Sequence, residues 1–411
     1  MFSGKRVTVL SHEFSRTGAP IACAQLAQLL SHAGAAVRLL GWDALRRPPA
    51  ELAAFSASIV PGPSFSTEAA GDSVDEVALG SDLVVVSSAV PQQAAWVARL
   101  RAAAIGKRQP RVVWWLHEGA GSELPRDAVA GAVALLTRRD ALDGVLFVSS
   151  AARAYWEREV RREAGVELAA LPLRQFVLRW GVPNWLLAAA GEGDAAAARL
   201  RQDVRSARGI APGDFVFLAL ASFQAVKGHA GMARAFDAAR KRCGSDSQIA
   251  RRLRFVMAGV GHGWGNPTFF PQANVAWVRS DADFVIEGPT ERPLELLLAA
   301  DAYVSNTLGG GESWGLSTLS AMAAGKPVLA SNAGATAEQM THGVNALVHA
   351  VPASVEEPQD VGELAAHMCA IIEDAVLRER LSAAARAHVR EDLGHLHIEL
   401  ALVEAFSPLL L

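Results

Sequence analysis

Apolar residues in this chain come in short unbroken runs, not in strict alternation with polar ones. In the first half the runs are Arg6–Leu10, Ala36–Leu40, Asp82–Ser87, Arg111–Leu116, Gly144–Ser149 and Gln175–Trp180. Each is rich in Val, Leu, Phe or Trp, the pattern of a strand buried on both faces of a parallel sheet. Longer Ala/Leu/Arg-rich stretches separate them, with apolar residues at helical spacing and a glycine near the end. Ala19–Ala33, stopped by Gly34, is the clearest. The second half repeats this logic with runs at Phe215–Ala221, Leu253–Ala258, Asn274–Val278, Asp283–Glu287, Ala302–Val304, Pro327–Ala330 and Ala346–Val348. Between the halves, residues 181–213 carry Gly-Val-Pro, Gly-Glu-Gly-Asp and Pro-Gly, which predicts a linker plus a helix. Two separately nucleated βαβ sets predict an α/β protein of two Rossmann-like, doubly wound domains facing a cleft. The expected bounds are 1–185 for the first domain and 186–390 for the second. Residues 391–411 form a C-terminal helix that packs back on the first domain. No repeat of fixed period is present.

Composition narrows the class. The chain has 411 residues, 51% hydrophobic and 20% charged, enough to fill two cores. With 39 basic and 42 acidic residues the formal net charge is -3, which argues against a general nucleic-acid binder. Arg99, Arg101, Lys107, Arg108 and Arg111 cluster locally. They read as a solvated face in preference to a contact with an anionic membrane or acceptor. Cys23, Cys243 and Cys369 are odd in number and far apart, so neither a zinc site nor a disulfide framework is readable, and a reducing cytoplasm is expected. The run Val7–Leu10 is too short for a signal-peptide core. No stretch of ~18 uncharged apolar residues predicts a membrane span. The apolar end Pro408–Leu411 is expected to dock on the first domain in preference to a membrane.

Ligands in such sheets bind beyond the carboxyl ends of the strands, so the loops there hold the candidate chemistry. The strongest is Gly309-Gly310-Gly311-Glu312-Ser313-Trp314-Gly315-Leu316, which follows the strand Ala302–Val304. It opens a helix of about ten residues that Gly325 and Pro327 stop. Glycines let backbone amides approach a phosphate, and the new helix adds free N–H groups and a positive dipole end. A tight turn with no ligand is the plainer reading, but three consecutive glycines are costly to order without a use. Glu312 at the lip of this seat can accept hydrogen bonds from sugar hydroxyls. The second candidate is Ser222-Phe223-Gln224-Ala225-Val226-Lys227-Gly228-His229, after the strand Phe215–Leu220. Lys227 there can lie over a diphosphate as a point charge. Alone it reads as a surface lysine; beside the glycine-rich loop it reads as a ligand group. The third is His117-Glu118 at the end of Trp114-Trp115-Leu116, balanced between a structural histidine and one aimed at a ligand. The fourth is Ser15-Arg16-Thr17-Gly18-Ala19, equally a phosphate or acceptor pocket and a plain βα turn.

Other matches fail. Gly259–Gly265 carries Trp264 where a dinucleotide fingerprint needs its third glycine. Gly325-Lys326 lacks the upstream glycine and the hydroxyl residue of a P-loop, and Asp281 with Asp283 stands in a turn without further ligands.

With these residues in place, the second half resembles the donor domain of the family-4 retaining glycosyltransferases of GT-B architecture. The order matches: the Lys227-Gly228 loop, a Met257–Gly259 turn, Glu287-Gly288-Pro289, Ala300-Asp301, the Glu312 loop and Gly325–Val328. The first half matches through Ser15–Ala19, the His117 strand, Val148-Ser149-Ser150 and Gly181-Val182. The resemblance implies catalytic roles for His117, Glu312 and Lys227: Lys227 on the donor diphosphate, Glu312 on the transferred sugar, His117 near the reacting centre. It implies a donor-binding set of Gly18, Ser222, Gly259, Gly311, Ser313, Trp314, Gly315, Leu316 and Ser320. Two members depart from the family. Ser320 stands where a second glutamate usually clamps the ribose, and Ser222 where an arginine is common. At about 1.5–3 kcal/mol per charge-assisted hydrogen bond, either loss weakens binding about tenfold or more unless compensated, with Arg292 a candidate compensator.

The activity so implied is transfer of a sugar, with retention, from a nucleoside diphosphate sugar, UDP- or GDP-linked, to a hydroxyl. The acceptor would be a glycan, a lipid-linked saccharide or a small molecule, as in polysaccharide biosynthesis. No cofactor or metal is implied. The place is the cytoplasm, extending to peripheral contact with the inner face of the membrane. Two alternatives stay open: a nucleotide-sugar epimerase on the same scaffold, and a catalytically degenerate binding or scaffold protein, which Ser320 and Ser222 favour.

Overall fold

The structure is a computed structural model that describes residues 2–14, 18–41, 66–69, 78–106, 109–121, 124–182, 195–244, 247–259, 283–287, 290 and 292–410. The expected run Asn274–Val278, the Gly288-Pro289 turn and Ser15–Thr17 lie outside these residues. The chain divides into two compact units, Met1–Trp180 with Leu396–Leu411, and Gly181–His395.

In the first unit the apolar runs become strands β1 (Arg6–Ser11), β2 (Ala36–Gly41), β3 (Ser66–Ala69), β4 (Leu83–Ser87), β5 (Arg111–Leu116), β6 (Gly144–Phe147) and β7 (Arg174–Val177). They form a seven-stranded sheet ordered β3-β2-β1-β4-β5-β6-β7, and every pairing is parallel. Its helices are α1 (Gly18–His32), α2 (Pro91–Ala103), α3 (Arg126–Thr137) and α4 (Ser150–Ala164). Local chemistry sets their ends. Pro91 opens α2, with its ring pre-set for the first turn. The Ser149 hydroxyl accepts from the Ala152 amide to start α4, and Gly165 in the left-handed region ends it. Trp96, Trp114, Trp156 and Phe147 fill the core between sheet and helices, each such ring contributing about 1.5–3 kcal/mol by burial.

The second unit holds β8 (Phe215–Leu220), β9 (Leu253–Ala258), β10 (Phe284–Glu287), β11 (Ala302–Ser305), β12 (Val328–Ser331) and β13 (Leu347–His349). These order as β10-β9-β8-β11-β12-β13, again all parallel. The helices are α5 (Ala195–Ser206), α6 (His229–Arg242), α7 (Pro293–Ala299), α8 (Leu316–Ala323), α9 (Thr336–Gln339), α10 (Gly362–Glu373) and α11 (Ala375–Asp392). Phe217, Phe236, Phe255 and Phe284 meet edge-on or tilted, with centroids 5.4–6.3 Å apart, at the centre of this core.

Both sheets are doubly wound. The strand order reverses between β1 and β4 in one and between β8 and β11 in the other. A ligand crevice opens where neighbouring loops diverge at such a point.

The last helix, α12 (His395–Leu410), belongs with the first unit. Phe406 meets Phe2 edge-on at 6.4 Å, and Lys5 Nζ donates to the Leu410 carbonyl at 3.0 Å. The stretch Ala375–Leu410 is long and apolar enough to cross a membrane by length and composition, but half of its most apolar window is buried within the protein. Ile398, Leu402, Ala405 and Phe406 form that buried side.

Candidate functional site

In the second unit the two flanking strands of the switch point, β8 and β11, each end in one of the sequence-predicted loops. After β8 the chain turns through Ser222 and Gln224 into a single 3-10 turn, Ala225–Lys227. Gly228 in the left-handed region then starts α6. After β11 it runs through Asn306 and Thr307 to the triple glycine. Gly309 and Gly310 both have positive φ, +57° and +74°, so the tight reversal uses conformations that other residues rarely adopt. Gly311 is required for closeness instead: a Cβ there would run into the Val226 side chain of the facing loop. The backbones also bond, with the Leu308 amide donating to the Val226 carbonyl at 2.7 Å.

This interlock brings Lys227 and Glu312 together. The ammonium donates to Glu312 Oε2 at 3.1 Å, the two side chains being 18% and 16% exposed. Thr307 donates its hydroxyl to the same oxygen at 3.2 Å. The Glu312 carbonyl accepts from the Ala335 amide at 2.8 Å, which fixes the backbone. An ammonium has three donors, so Lys227 keeps capacity for other anionic oxygens. Beyond Glu312, α8 begins at Gly315 with no side-chain cap. Its first-turn amides, which have no acceptor within the helix, and its dipole put positive potential at this end.

Below the loops, Tyr303 of β11 is buried and lies 3.0 Å from both the Leu220 carbonyl and Ser317 Oγ, tying β8 to the first turn of α8. Burial pushes its phenol up to about 12, so it stays protonated.

The other expected donor-binding residues of this unit lie on the loops after β8, β9 and β11 and along α8. Gly259, after β9, packs so closely on Ala221 that a Cβ would strike its carbonyl. That places it beside Ser222, whose hydroxyl donates to Gln224 Oε1 at 2.9 Å. Ser313 is partly exposed and Trp314 is buried. The Leu316 amide donates to the Trp314 carbonyl at 3.1 Å. Ser320, in the last turns of α8, gives its proton to the Leu316 carbonyl of its own helix at 2.8 Å. Arg292 is 74% exposed and pairs with Glu295 one turn along α7. Lys326 serves the opposite edge of the sheet, where it donates to the Leu298 and Ala300 carbonyls. Arg201 and Arg205 cap the same helix end. Asp283, of the rejected Asp pair, is held by Arg240 and Arg254.

In the first unit, His117 follows β5 and packs its ring 4.5 Å from that of Trp115. Its Nε2 is buried with no hydrogen-bond partner among the described residues. Burial, helped by nearby His12, pushes its pKa down to about 3, so the ring is neutral at pH 7 with one nitrogen unspent. Burial raises the neighbouring Glu118 above the usual carboxylate range. Gly18 lies exposed at the start of α1, after β1. Ser88, after β4, takes a left-handed φ of 73°, and its carbonyl accepts from Trp114 Nε1 at 2.8 Å. A strained serine at a strand end is the kind of position that functional edges carry. Sequence reasoning passed over His12, which follows β1 at the switch point and differs from His117 only in lacking an aromatic run before it. It also passed over Thr307, which no local pattern marks.

Two parallel, doubly wound sheets and family matches along the chain mark a glycosyltransferase of the GT-B fold. The sequence matches Glycosyl-transferase family 4 over residues 3–195 and Glycosyl transferases group 1 over residues 201–388. The chain belongs to the family-4 glycosyltransferases. No curated protein matches it by sequence. Among solved structures it is similar to HepE of Anabaena in complex with UDP-glucose, at TM-score 0.74 and 17% identity over 98% of this chain and 100% of that one. It is also similar to the sucrose-phosphate synthase of Thermosynechococcus elongatus, at TM-score 0.70 and 17% identity over 98% and 99%. A glycosyltransferase from Rickettsia africae gives TM-score 0.69 and 14% identity over 99% and 98%.

Proposed function

We propose that this glycosyltransferase takes its sugar from a nucleoside diphosphate sugar and that the Lys227–Glu312 loops hold the donor. The carrying observation is the convergence of an ammonium, a carboxylate and an uncapped helix start at the switch point of one sheet. Lys227 and the amides at the start of α8 meet the diphosphate, and Glu312 orients the sugar through its hydroxyls. HepE, solved with UDP and glucose and with UDP-glucose, supports this choice of donor class.

In the reaction the bond between the anomeric carbon and the diphosphate oxygen breaks, and its electron pair stays on the phosphate. The acceptor hydroxyl oxygen bonds to the anomeric carbon on the same face, and its proton passes to the released phosphate oxygen. Retention follows from that same-face approach. The protein's part is fixed positive charge where negative charge develops, usually the largest catalytic contribution. Lys227 and the helix end supply it without a metal ion, so turnover is expected to persist in EDTA. For His117, neutral at pH 7, the family resemblance implies a hydrogen bond to the sugar near the reacting centre. Gly18 is proposed to meet the donor phosphate, as the family resemblance implies. The acceptor is a glycan, lipid-linked saccharide or small molecule met in the cytoplasm or at a membrane face.

A thermal-shift screen against UDP-, GDP-, dTDP- and ADP-sugars identifies the donor. Lys227→Ala and Glu312→Ala are then expected to lower turnover by at least about a hundredfold with the melting temperature nearly kept. Wild-type rates in both would discard the assignment, and conversion of the donor without any acceptor would point to epimerisation.

A further inference from the structure

We propose that Asn306 is a positioning residue for the diphosphate site, holding Lys227 in place through the Gly228 carbonyl in concert with Gln359 and His349. The inference rests on the donor reading above and adds the group that sets its geometry.

Asn306 follows β11 directly and is 1% exposed. Its amide uses its full hydrogen-bonding capacity. Nδ2 donates to the Gly228 carbonyl at 2.8 Å and to Gln359 Oε1 at 3.1 Å. Oδ1 accepts from Gln359 Nε2 at 2.7 Å and pairs with His349 Nε2 at 2.8 Å. The facing loop is shaped to this amide. A Cβ on Gly228 would strike the Asn306 backbone carbonyl and its side-chain Nδ2, and one on Gly231, early in α6, would strike Gln359 and the same Nδ2. Gly228 is the residue after Lys227, so its carbonyl fixes the direction in which the 3-10 turn delivers the ammonium. On the other side, Asn306 adjoins Thr307, whose hydroxyl reaches Glu312. Ser331 anchors the Thr307 carbonyl at 2.7 Å. The buried Asn306 side chain therefore holds the lysine's half of the Lys227–Glu312 pair, while its neighbour Thr307 holds the glutamate's. The histidine fits the same role. Nε2 must carry the proton to donate to Asn306, and Nδ1 is buried without a partner among the described residues. Burial and nearby His367 push the ring down to about 3, which keeps it in that neutral form.

The test separates positioning from general support of the fold. UDP, GDP, dTDP and ADP are titrated calorimetrically into wild type, Asn306→Ala, Gln359→Ala and Lys227→Ala. The two double variants that combine each of the first two with Lys227→Ala are titrated as well. Asn306→Ala is expected to weaken the best-bound nucleotide about tenfold, and Gln359→Ala about threefold. Neither should weaken it further once Lys227 is absent, because the effect runs through the lysine. Equal losses with and without Lys227, or no loss in either single variant, would overturn the proposal while the donor reading stood. If Asn306→Ala does not fold, Gln359→Ala, altered at a partly exposed position, decides alone by the same comparison. A wild-type protein that binds none of the four nucleotides would instead remove the donor reading, and the proposal with it.

Discussion

Three histidines, His349 buried and His117 and His229 half-buried, show how a single residue's surroundings set its chemistry. His117 and His349 are pushed down to about 3, and His229 to about 4, in each case chiefly by burial. Unfolded, each would titrate near 6.5. As pH falls below that value the unfolded chain takes up protons that the folded chain refuses. Stability is therefore fully present above about pH 6.5 and declines toward the folded values, by up to about 1.4 kcal/mol per pH unit per histidine. Glu118, raised by burial, works in the opposite sense and offsets part of the loss. Urea unfolding between pH 7 and pH 5 is expected to show the decline. His349→Gln, whose amide can still donate to Asn306, should reduce the slope by about one proton. An unchanged slope would show that His349 is not held neutral. From sequence, His117 was marked by its place at a strand end. His349 was not, because its partner lies 43 residues away and no local spacing records the pairing.

At the scale of elements, the legible features were those whose cause is local. The apolar runs of β1, β8 and β11 are buried on both faces, so they needed no alternation and stood out as runs. β3 was missed because Ser66-Thr67-Glu68-Ala69 sits at the sheet's edge and carries little apolar signal. The glycine-rich loop and the Lys227 turn were each visible, as was the helix they introduce. Their interlock was not, since it depends on Val226 meeting Gly311 across the two loops. The contact makes a strong test of the elements as a unit. Gly311→Ala inserts a methyl group where Val226 already stands, an overpacking change of about 1–3 kcal/mol. The loops should part, lengthening the Lys227–Glu312 contact. Turnover is expected to fall more than tenfold, with a loss in melting temperature of only a few degrees. A fully active Gly311→Ala enzyme would mean that the loops do not set the site.

At the scale of the whole molecule, each unit has its own sheet and its own aromatic core. Lys227, Asn306, Glu312 and α8 all belong to the second unit, Gly181–His395. A ligand that binds the folded state alone stabilises it by mass action, about 2.7 kcal/mol at a hundred times its dissociation constant. For a unit of this size that corresponds to a shift of roughly 5–10 °C. In the full chain the nucleoside diphosphate should therefore raise the unfolding temperature of the second unit first. Scanning calorimetry with hydrogen exchange assigns the transition. The expected result is protection concentrated in β8, β11, α8 and the loops that follow the two strands, with the amides around Trp114 and Trp156 nearly unchanged at low nucleotide. Lys227→Ala should abolish the shift. Protection confined to the first unit would place the nucleotide on the His117 edge and reverse the assignment of donor and acceptor sides.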